Sequence, residues 1–161
     1  MSARTTPLSV RAAWTRVAVL LAGIVAADQI IKEVVTSTIE RGQQESVIAG
    51  IKIVNVRNTG VAFGQLQDGG AIVAVVITLA IAALLAYFAR HARRRLMWLP
   101  TGMLLGGALG NVIDRVREGA VVDFVKLPYW PAFNVADVAI TFGVIVLLFV
   151  MEKDDGARGS A

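Results

Sequence analysis

Hydrophobic residues in this chain of 161 residues gather into four long stretches that shorter polar segments separate. A helix needs roughly 20 mostly apolar residues to cross a bilayer. Residues 69–89 and 96–113 meet that requirement without a charged side chain, and residues 12–35 and 134–151 are long enough with few internal charges. The pattern predicts four transmembrane helices.

The first stretch allows a second interpretation. Arg11 and Arg16, the uncharged core at 17–27 and its small residues before Asp28 also resemble a secretory signal peptide with a cleavage site. Apolar residues resume at Ile30, which favours a helix that continues through this point.

A different periodicity lies between the first two stretches. Residues 46–57 include an alternation of side chains that is typical of a strand or hairpin. Asn58, Gly60 and Gly64 then supply turn residues. We expect a small β-sheet or hairpin beside the helices, on the surface of the membrane.

Composition agrees with a membrane protein. The chain is 56% hydrophobic with a mean hydropathy of +0.65, which is too apolar for a soluble domain of this length. A net charge of +4 could indicate nucleic-acid binding, but the arginines flank the apolar stretches. Membrane orientation explains them better, so we expect no nucleic-acid partner.

The arginines also predict the orientation. Four of them lie in the loop at 90–95 and three in the N-terminal tail, and the positive-inside rule makes both segments cytoplasmic. Four spans return the C-terminus to the cytoplasm and place residues 36–68 and 114–133 outside. Residues 1–161 would then form a single integral membrane domain.

The residue types that are missing exclude several chemistries. There is no cysteine and a single histidine, His91, which lies among the loop arginines. Thiol nucleophiles, disulfides and multi-histidine metal sites are therefore disfavoured, and we expect neither a metal nor a cofactor.

Two aspartates at the edges of apolar stretches, Asp123 and Asp137, are the candidates for chemistry. An ionisable residue near a membrane span is costly and indicates function. Two carboxylates held close together share a proton, so that one acts as base and the other as acid, and such a pair can activate water for amide hydrolysis.

Each aspartate also has a structural interpretation. Asn134 and Asp137 have the spacing of a capping box at the start of the fourth helix, which local sequence alone favours for Asp137. Asp123 could instead be a loop carboxylate that pairs with Arg115 or Lys126.

Other polar residues lie where they could support the pair. Gly102, Gly106 and Gly110 recur every fourth residue, which allows another helix to approach the third one closely. Asn111, Asp114 and Arg115 lie on the same helix. Their side chains could either form a polar network that supports the aspartates or simply be solvated at the membrane interface. Asp28 and Lys32 have the spacing of an i, i+4 ion pair.

Five motifs in order resemble the lipoprotein signal peptidase family, also called signal peptidase II. They are Asp28-Gln29-Ile30-Ile31-Lys32, Asn58-Thr59-Gly60-Val61-Ala62-Phe63-Gly64, Gly106-Gly107-Ala108-Leu109-Gly110-Asn111-Val112-Ile113-Asp114-Arg115, Val121-Val122-Asp123-Phe124 and Phe133-Asn134-Val135-Ala136-Asp137. The resemblance runs from about residue 17 to residue 151.

This resemblance implies an aspartyl protease of the bacterial inner membrane with four helices, a small extracytoplasmic sheet and a further helical excursion near the active site. Asp123 and Asp137 match the catalytic pair, and the implied substrate is a prolipoprotein that carries a diacylglyceryl group on its cysteine and is cut on the amino side of that cysteine. Membrane lipids would surround a monomer. Matching support or substrate positions are Asp28, Lys32, Asn58, Gly60, Asn111, Asp114, Arg115 and Asn134.

The main alternative from another class is a proton- or cation-coupled transporter that uses Asp28, Asp114, Asp123 and Asp137 as a titratable pathway. Such a pathway would distribute carboxylates across the membrane depth, whereas these cluster toward one face. A structural adaptor is a weaker alternative because it leaves the polar cluster unexplained.

Overall fold

The computed structural model describes residues 9–48, 50–59, 69–94 and 96–158. Four long helices and three strands make up this part of the chain. In order they are α1 (Val10–Thr38), β1 (Gln44–Ile48), β2 (Ile51–Asn58), α2 (Gly69–His91), α3 (Trp98–Glu118), β3 (Val121–Lys126) and α4 (Val135–Arg158).

Helix α3 is central because glycines line two of its sides. A Cβ on Gly106 would lie 3.0 Å from the Cβ of Ile24 in α1, so these helices pack nearly backbone to backbone. A Cβ on Gly107 would meet the start of α4, 2.7 Å from Ile140 Cγ1. The predicted close approach of another helix is present on two faces of α3, with Gly106 facing α1 and Gly107 facing α4.

Helix α1 runs unbroken through Asp28, and that aspartate is fully buried. The residues on both sides of the conceivable cleavage point therefore belong to one helix of the packed fold. Its N-terminus is capped by Ser9, whose Oγ accepts a hydrogen bond from Ala12 N.

The three strands form an antiparallel sheet in the order β1-β2-β3. The predicted hairpin is present, and the mainly helical architecture with a small sheet is confirmed. Part of the predicted outer segment 114–133 has regular structure, since α3 extends to Glu118 and β3 follows. The first four residues of β3 are all buried, so the strand lacks the alternation that marks a half-exposed strand.

All four helices are long, but they differ in mean hydropathy. Among the residues whose side chains are described, Val135–Glu152 is long and apolar enough to cross a membrane, with a mean hydropathy of 2.3, and Val75–His91 is a shorter apolar part of α2. Helices α1 and α3 are more polar because they carry buried hydrophilic side chains. These are Asp28, Lys32, Thr101, Asn111 and Asp114.

The further helical excursion that the family resemblance implies has no counterpart in the described ranges. Gly60, one of the predicted site residues, lies outside them.

Candidate active site

Asp123 is held in the middle of β3 with 1% of its surface exposed. Asn58, at the end of β2, donates from Nδ2 to Asp123 Oδ2 at 3.0 Å. Asn134, which precedes α4, donates from Nδ2 to the other oxygen at 2.8 Å. Two amides thus fix the carboxyl plane and hydrogen-bond both oxygens.

Burial raises the pKa of Asp123 from 3.8 to about 6, because the ionised form loses hydration. The hydrogen bond from Asn58 opposes this effect by favouring the ionised form, while the negative charge of Asp137 adds to it. The pKa of Asp123 therefore reflects a neighbouring carboxylate as well as a dry environment.

Asp137 lies in the first turn of α4. Its backbone N–H donates to Asn134 Oδ1 at 2.8 Å, so Asn134 caps the helix. Its carboxylate instead accepts a hydrogen bond from Asn111 Nδ2 at 2.8 Å. Capping therefore uses the Asp137 backbone and leaves its carboxylate to the site.

A reversal of the chain brings the two aspartates together. Phe133 N donates to Val125 O at 3.0 Å, and Phe133 O accepts from both Phe124 N and Val125 N. This short antiparallel bridge returns the chain beside β3 before α4 begins. Asn134, fully buried at that point, touches both aspartates, so it couples their positions.

A buried group of three charges lies behind the pair. Lys32 Nζ is 2.6 Å from Asp28 Oδ2 and 2.7 Å from Asp114 Oδ2. The predicted i, i+4 ion pair is present, but the second carboxylate comes from α3 and was not predicted as a partner. We call Asp28, Lys32 and Asp114 the ion triad.

The ion triad also fastens the backbone next to each aspartate of the pair. Asp114 Oδ2 accepts a hydrogen bond from Val122 N at 3.0 Å, and Asp28 Oδ1 accepts one from Ala136 N at 2.9 Å. Val122 immediately precedes Asp123, and Ala136 immediately precedes Asp137. One lysine thus joins the two carboxylates that hold these two peptide units.

Two contacts extend this network. Asn111 Oδ1 accepts from Asn134 Nδ2 at 3.1 Å and lies 3.4 Å from Lys32 Nζ. Gln29, which was not among the predicted site residues, donates to Asp114 Oδ1 at 2.9 Å. Its position beside Asp28 in the first motif was the one available indication of its role.

Arg115 makes no described hydrogen bond to either aspartate. Its described hydrogen bond is to the Asn111 backbone carbonyl of the same helix, at 3.3 Å. The alternative partners for Asp123 are also not observed, since none of the ion pairs between described side chains includes it. Lys126 instead lies opposite Lys52 in the register of β2 and β3.

The described residues contain no group of three or more histidine, cysteine or acidic side chains arranged to hold a metal ion. The functional groups at the site are carboxylates, amides and the buried ammonium group of Lys32.

The family model described as Signal peptidase (SPase) II matches residues 20–152, which include every predicted site residue. The chain belongs to the signal peptidase II family. The lipoprotein signal peptidase of Moorella thermoacetica is 40% identical over 138 residues, covering 84% of this chain and 92% of the relative. That of Cupriavidus necator is 39% identical over 155 residues, covering 91% and 85%.

Solved structures agree with the sequence comparison. A bacterial membrane enzyme determined at 1.9 Å by the in meso method superposes with a TM-score of 0.80 at 33% identity, covering 86% of this chain and 93% of that one. A second bacterial membrane enzyme, at 2.3 Å, gives a TM-score of 0.79 at 31% identity, covering 88% and 90%. This signal peptidase II is an integral membrane protein and an aspartic endopeptidase, and nothing in the comparisons supports a transporter.

Proposed function

We propose that this signal peptidase II removes the signal peptide from diacylglyceryl-modified prolipoproteins, on the amino side of the lipidated cysteine, with Asp123 and Asp137 as its catalytic residues. The observation that carries the proposal is one amide network that binds both carboxylates. The names of the relatives support the substrate class.

The chemistry follows from one proton shared by two carboxyl groups. We assign the shared proton to Asp123, whose pKa burial raises to about 6, and the role of base to Asp137. Asp137 takes a proton from water while the water oxygen attacks the scissile carbonyl, and Asp123 gives its proton to the carbonyl oxygen. The gem-diol that results collapses when Asp137 gives its proton to the leaving nitrogen, the C–N bond breaks and one hydroxyl proton of the gem-diol returns to Asp123, with no covalent enzyme intermediate.

The amides define what each carboxylate can do. Asn58 and Asn134 each donate to Asp123, and Asn111 donates to Asp137, so the ionised form of each carboxylate has a partner already in place. Such preorganisation means that little rearrangement is needed as charge moves during the reaction. Neither step requires a metal or a cofactor.

We propose further that all four helices cross the membrane. The polar residues of α1 and α3 face one another and form hydrogen bonds, so they need not contact lipid. Arginines at the far end of the helices support cytoplasmic termini. The site would then open at the extracytoplasmic face of the inner membrane.

The substrate and the membrane would meet at this level. A diacylglyceryl group keeps the cysteine of a prolipoprotein near the lipid surface, and lateral entry between helices would bring the scissile amide to the aspartates. The enzyme would work as a monomer among membrane lipids.

Cleavage of a purified, lipidated preprolipoprotein by the reconstituted enzyme tests this function. We expect Asp123→Asn and Asp137→Asn each to lower turnover by at least about 10²-fold, because an amide cannot take part in the shared proton. Glu45→Gln is the matched control, since Glu45 is an exposed carboxylate on β1 and its loss should leave turnover unchanged.

Both aspartate variants should be purified in the folded state, with the helical circular dichroism of the parent protein. Near-normal turnover by either one would reject the catalytic assignment. Equal cleavage of the substrate with and without its lipid would reject the proposed substrate class.

A further inference from the structure

A cavity at the other end of the helices takes no part in the peptidase chemistry. It has a volume of about 410 Å³ and lies between the start of α1 and the end of α2. Val10 is 18 residues from Asp28 along α1, so the cavity is about 27 Å from the ion triad. We call it the basic cleft, and its polar lining consists of Arg90, His91, Arg93 and Arg94.

The surroundings of the basic cleft are strongly positive. Arg11 and Arg16 line a second cavity on the adjoining part of α1, and the first turn of α1 carries no acidic residue, so its helix dipole adds to the positive potential. None of the ion pairs between described side chains includes Arg11, Arg16, Arg90 or Arg93. The cleft has the charge of an anion site.

Aromatic side chains indicate the depth of the cleft. The Arg16 guanidinium lies 5.5 Å from the ring centroid of Trp98, and Trp14 packs edge to face on Phe88 at 4.8 Å. Tryptophan is enriched where lipid headgroups meet the hydrocarbon. The cleft is therefore at the level of lipid phosphates.

Apolar surface continues from the cleft along both helices that border it. Val19 on α1 is 69% exposed and Leu79 on α2 is 65% exposed, each about two or three turns from the cleft. A molecule with a negative head and apolar tails would match this arrangement, with its head among the arginines and its tails along the helices.

We propose that the basic cleft binds the headgroup of an anionic phospholipid from the membrane leaflet at that end. Arginine suits a phosphodiester because its planar fork donates two parallel hydrogen bonds. Basic pockets between helices are a known means of anionic lipid recognition. The proposal is independent of catalysis, since it uses residues at the opposite end of the helices.

Lipid binding to the purified full-length protein tests the proposal. In native mass spectrometry, phosphatidylglycerol should bind more tightly than phosphatidylcholine with the same acyl chains. Each arginine near a charged lipid surface contributes a factor of about five, so Arg90→Gln with Arg93→Gln should weaken phosphatidylglycerol binding about 25-fold and leave phosphatidylcholine binding unchanged.

The matched control is Arg41→Gln with Arg117→Gln, which removes two exposed arginines from the end that holds the aspartates. It should leave both affinities unchanged. A 25-fold loss in this control as well would show diffuse charge rather than a cleft and overturn the proposal. Displacement of the lipid by glycerol phosphate at the same concentration would do so too, because the site would then accept a soluble phosphate.

Peptidase activity reports the integrity of each variant, and the glutamine variant should retain it in phosphatidylcholine. If that variant does not fold, Arg90→Lys with Arg93→Lys answers the same question, because it keeps both charges and removes the forks. Its phosphatidylglycerol affinity should fall several-fold, and an unchanged affinity would overturn the proposal.

Discussion

Asp123 illustrates how much a single carboxyl group depends on its neighbours. Its sequence context, an aspartate after two valines, indicated a costly charge. Its two amide partners come from β2 and from the residue before α4, and only the fold brings them together. The candidate residues were therefore predictable from sequence, while the hydrogen bonds that set their chemistry were not.

The pKa of Asp123 predicts the pH dependence of cleavage. With that pKa at about 6, activity should decline on the alkaline side with an apparent pKa near 6, as the shared proton is lost. The Asn58 hydrogen bond lowers the pKa of Asp123, so Asn58→Ala should move this decline to higher pH. A pH profile of kcat/KM measures both effects.

Gln44→Ala, at an exposed position of β1, is the control and should leave the profile in place. A shift to lower pH in Asn58→Ala would contradict the role given to its hydrogen bond. The stability of the protein should also depend on the Asp123 carboxyl group. Because the pKa of Asp123 in the folded protein is raised above 3.8, its contribution to the free energy of unfolding is complete below pH 3.8 and is lost as the pH rises through about 6.

Lys32 is the residue through which the ion triad acts on both aspartates. Lys32→Met leaves Asp28 and Asp114 buried without their cation, so we expect lower stability together with a loss of kcat of about tenfold or more at nearly constant KM. The Lys32 charge also lowers the pKa of Asp123, so its loss should move the alkaline decline to higher pH.

Lys52→Met, on β2, removes a lysine that has no ion pair among the described side chains, and it serves as the control. If Lys32→Met reduced only the yield of folded protein, with kcat and the pH profile of the folded fraction intact, the positioning role would be wrong.

At the scale of elements, periodicity predicted helices and the hairpin but not β3. Strand β3 is short and buried, so its side chains do not alternate between apolar and polar. Its partner β2 is separated from it in the chain by α2 and α3, so no local sequence pattern predicts the pairing. The glycine ladder was predictable because a spacing of four residues defines one face of a helix. Which neighbour each glycine meets depends on the packed bundle.

Helix packing predicts opposite effects for two glycines. Gly107→Ala should lower the thermal unfolding temperature, because its Cβ would press on Ile140 and on the Ala136 backbone at a cost of about 1–3 kcal/mol. Gly23→Ala, on α1, meets nothing within 4 Å and should raise that temperature, since alanine is the better helix former by about 1 kcal/mol.

Thermal unfolding followed by circular dichroism in detergent compares the two variants. Equal unfolding temperatures would contradict the close contact between α3 and α4. We also expect Gly107→Ala to lose peptidase activity, because Ala136 precedes Asp137.

For the whole molecule, the absence of cysteine makes the proposed topology directly measurable. A single cysteine at Ser46 in β1 should react with a membrane-impermeant maleimide applied to intact spheroplasts. A single cysteine at Ser9, before α1, should react only after the membrane is opened. Both positions are exposed, so reactivity reports the side of the membrane.

Peptidase activity of each cysteine variant is the control for native folding. The reverse labelling pattern would place the aspartates on the cytoplasmic face and contradict the proposed orientation. Labelling of both positions from outside would contradict the crossing of α1.

The ion triad has a consequence for the insertion of the protein into the membrane during synthesis. Asp28 lies in α1, which is synthesised before Asp114 in α3 and Ala136 in α4, the other members of this network. Lys32 is one turn away in the same helix, so it can neutralise Asp28 at once. We expect this local ion pair to lower the cost of placing α1 in lipid until α3 and α4 pack against it. The aspartate pair should become competent for cleavage only when α4 has packed.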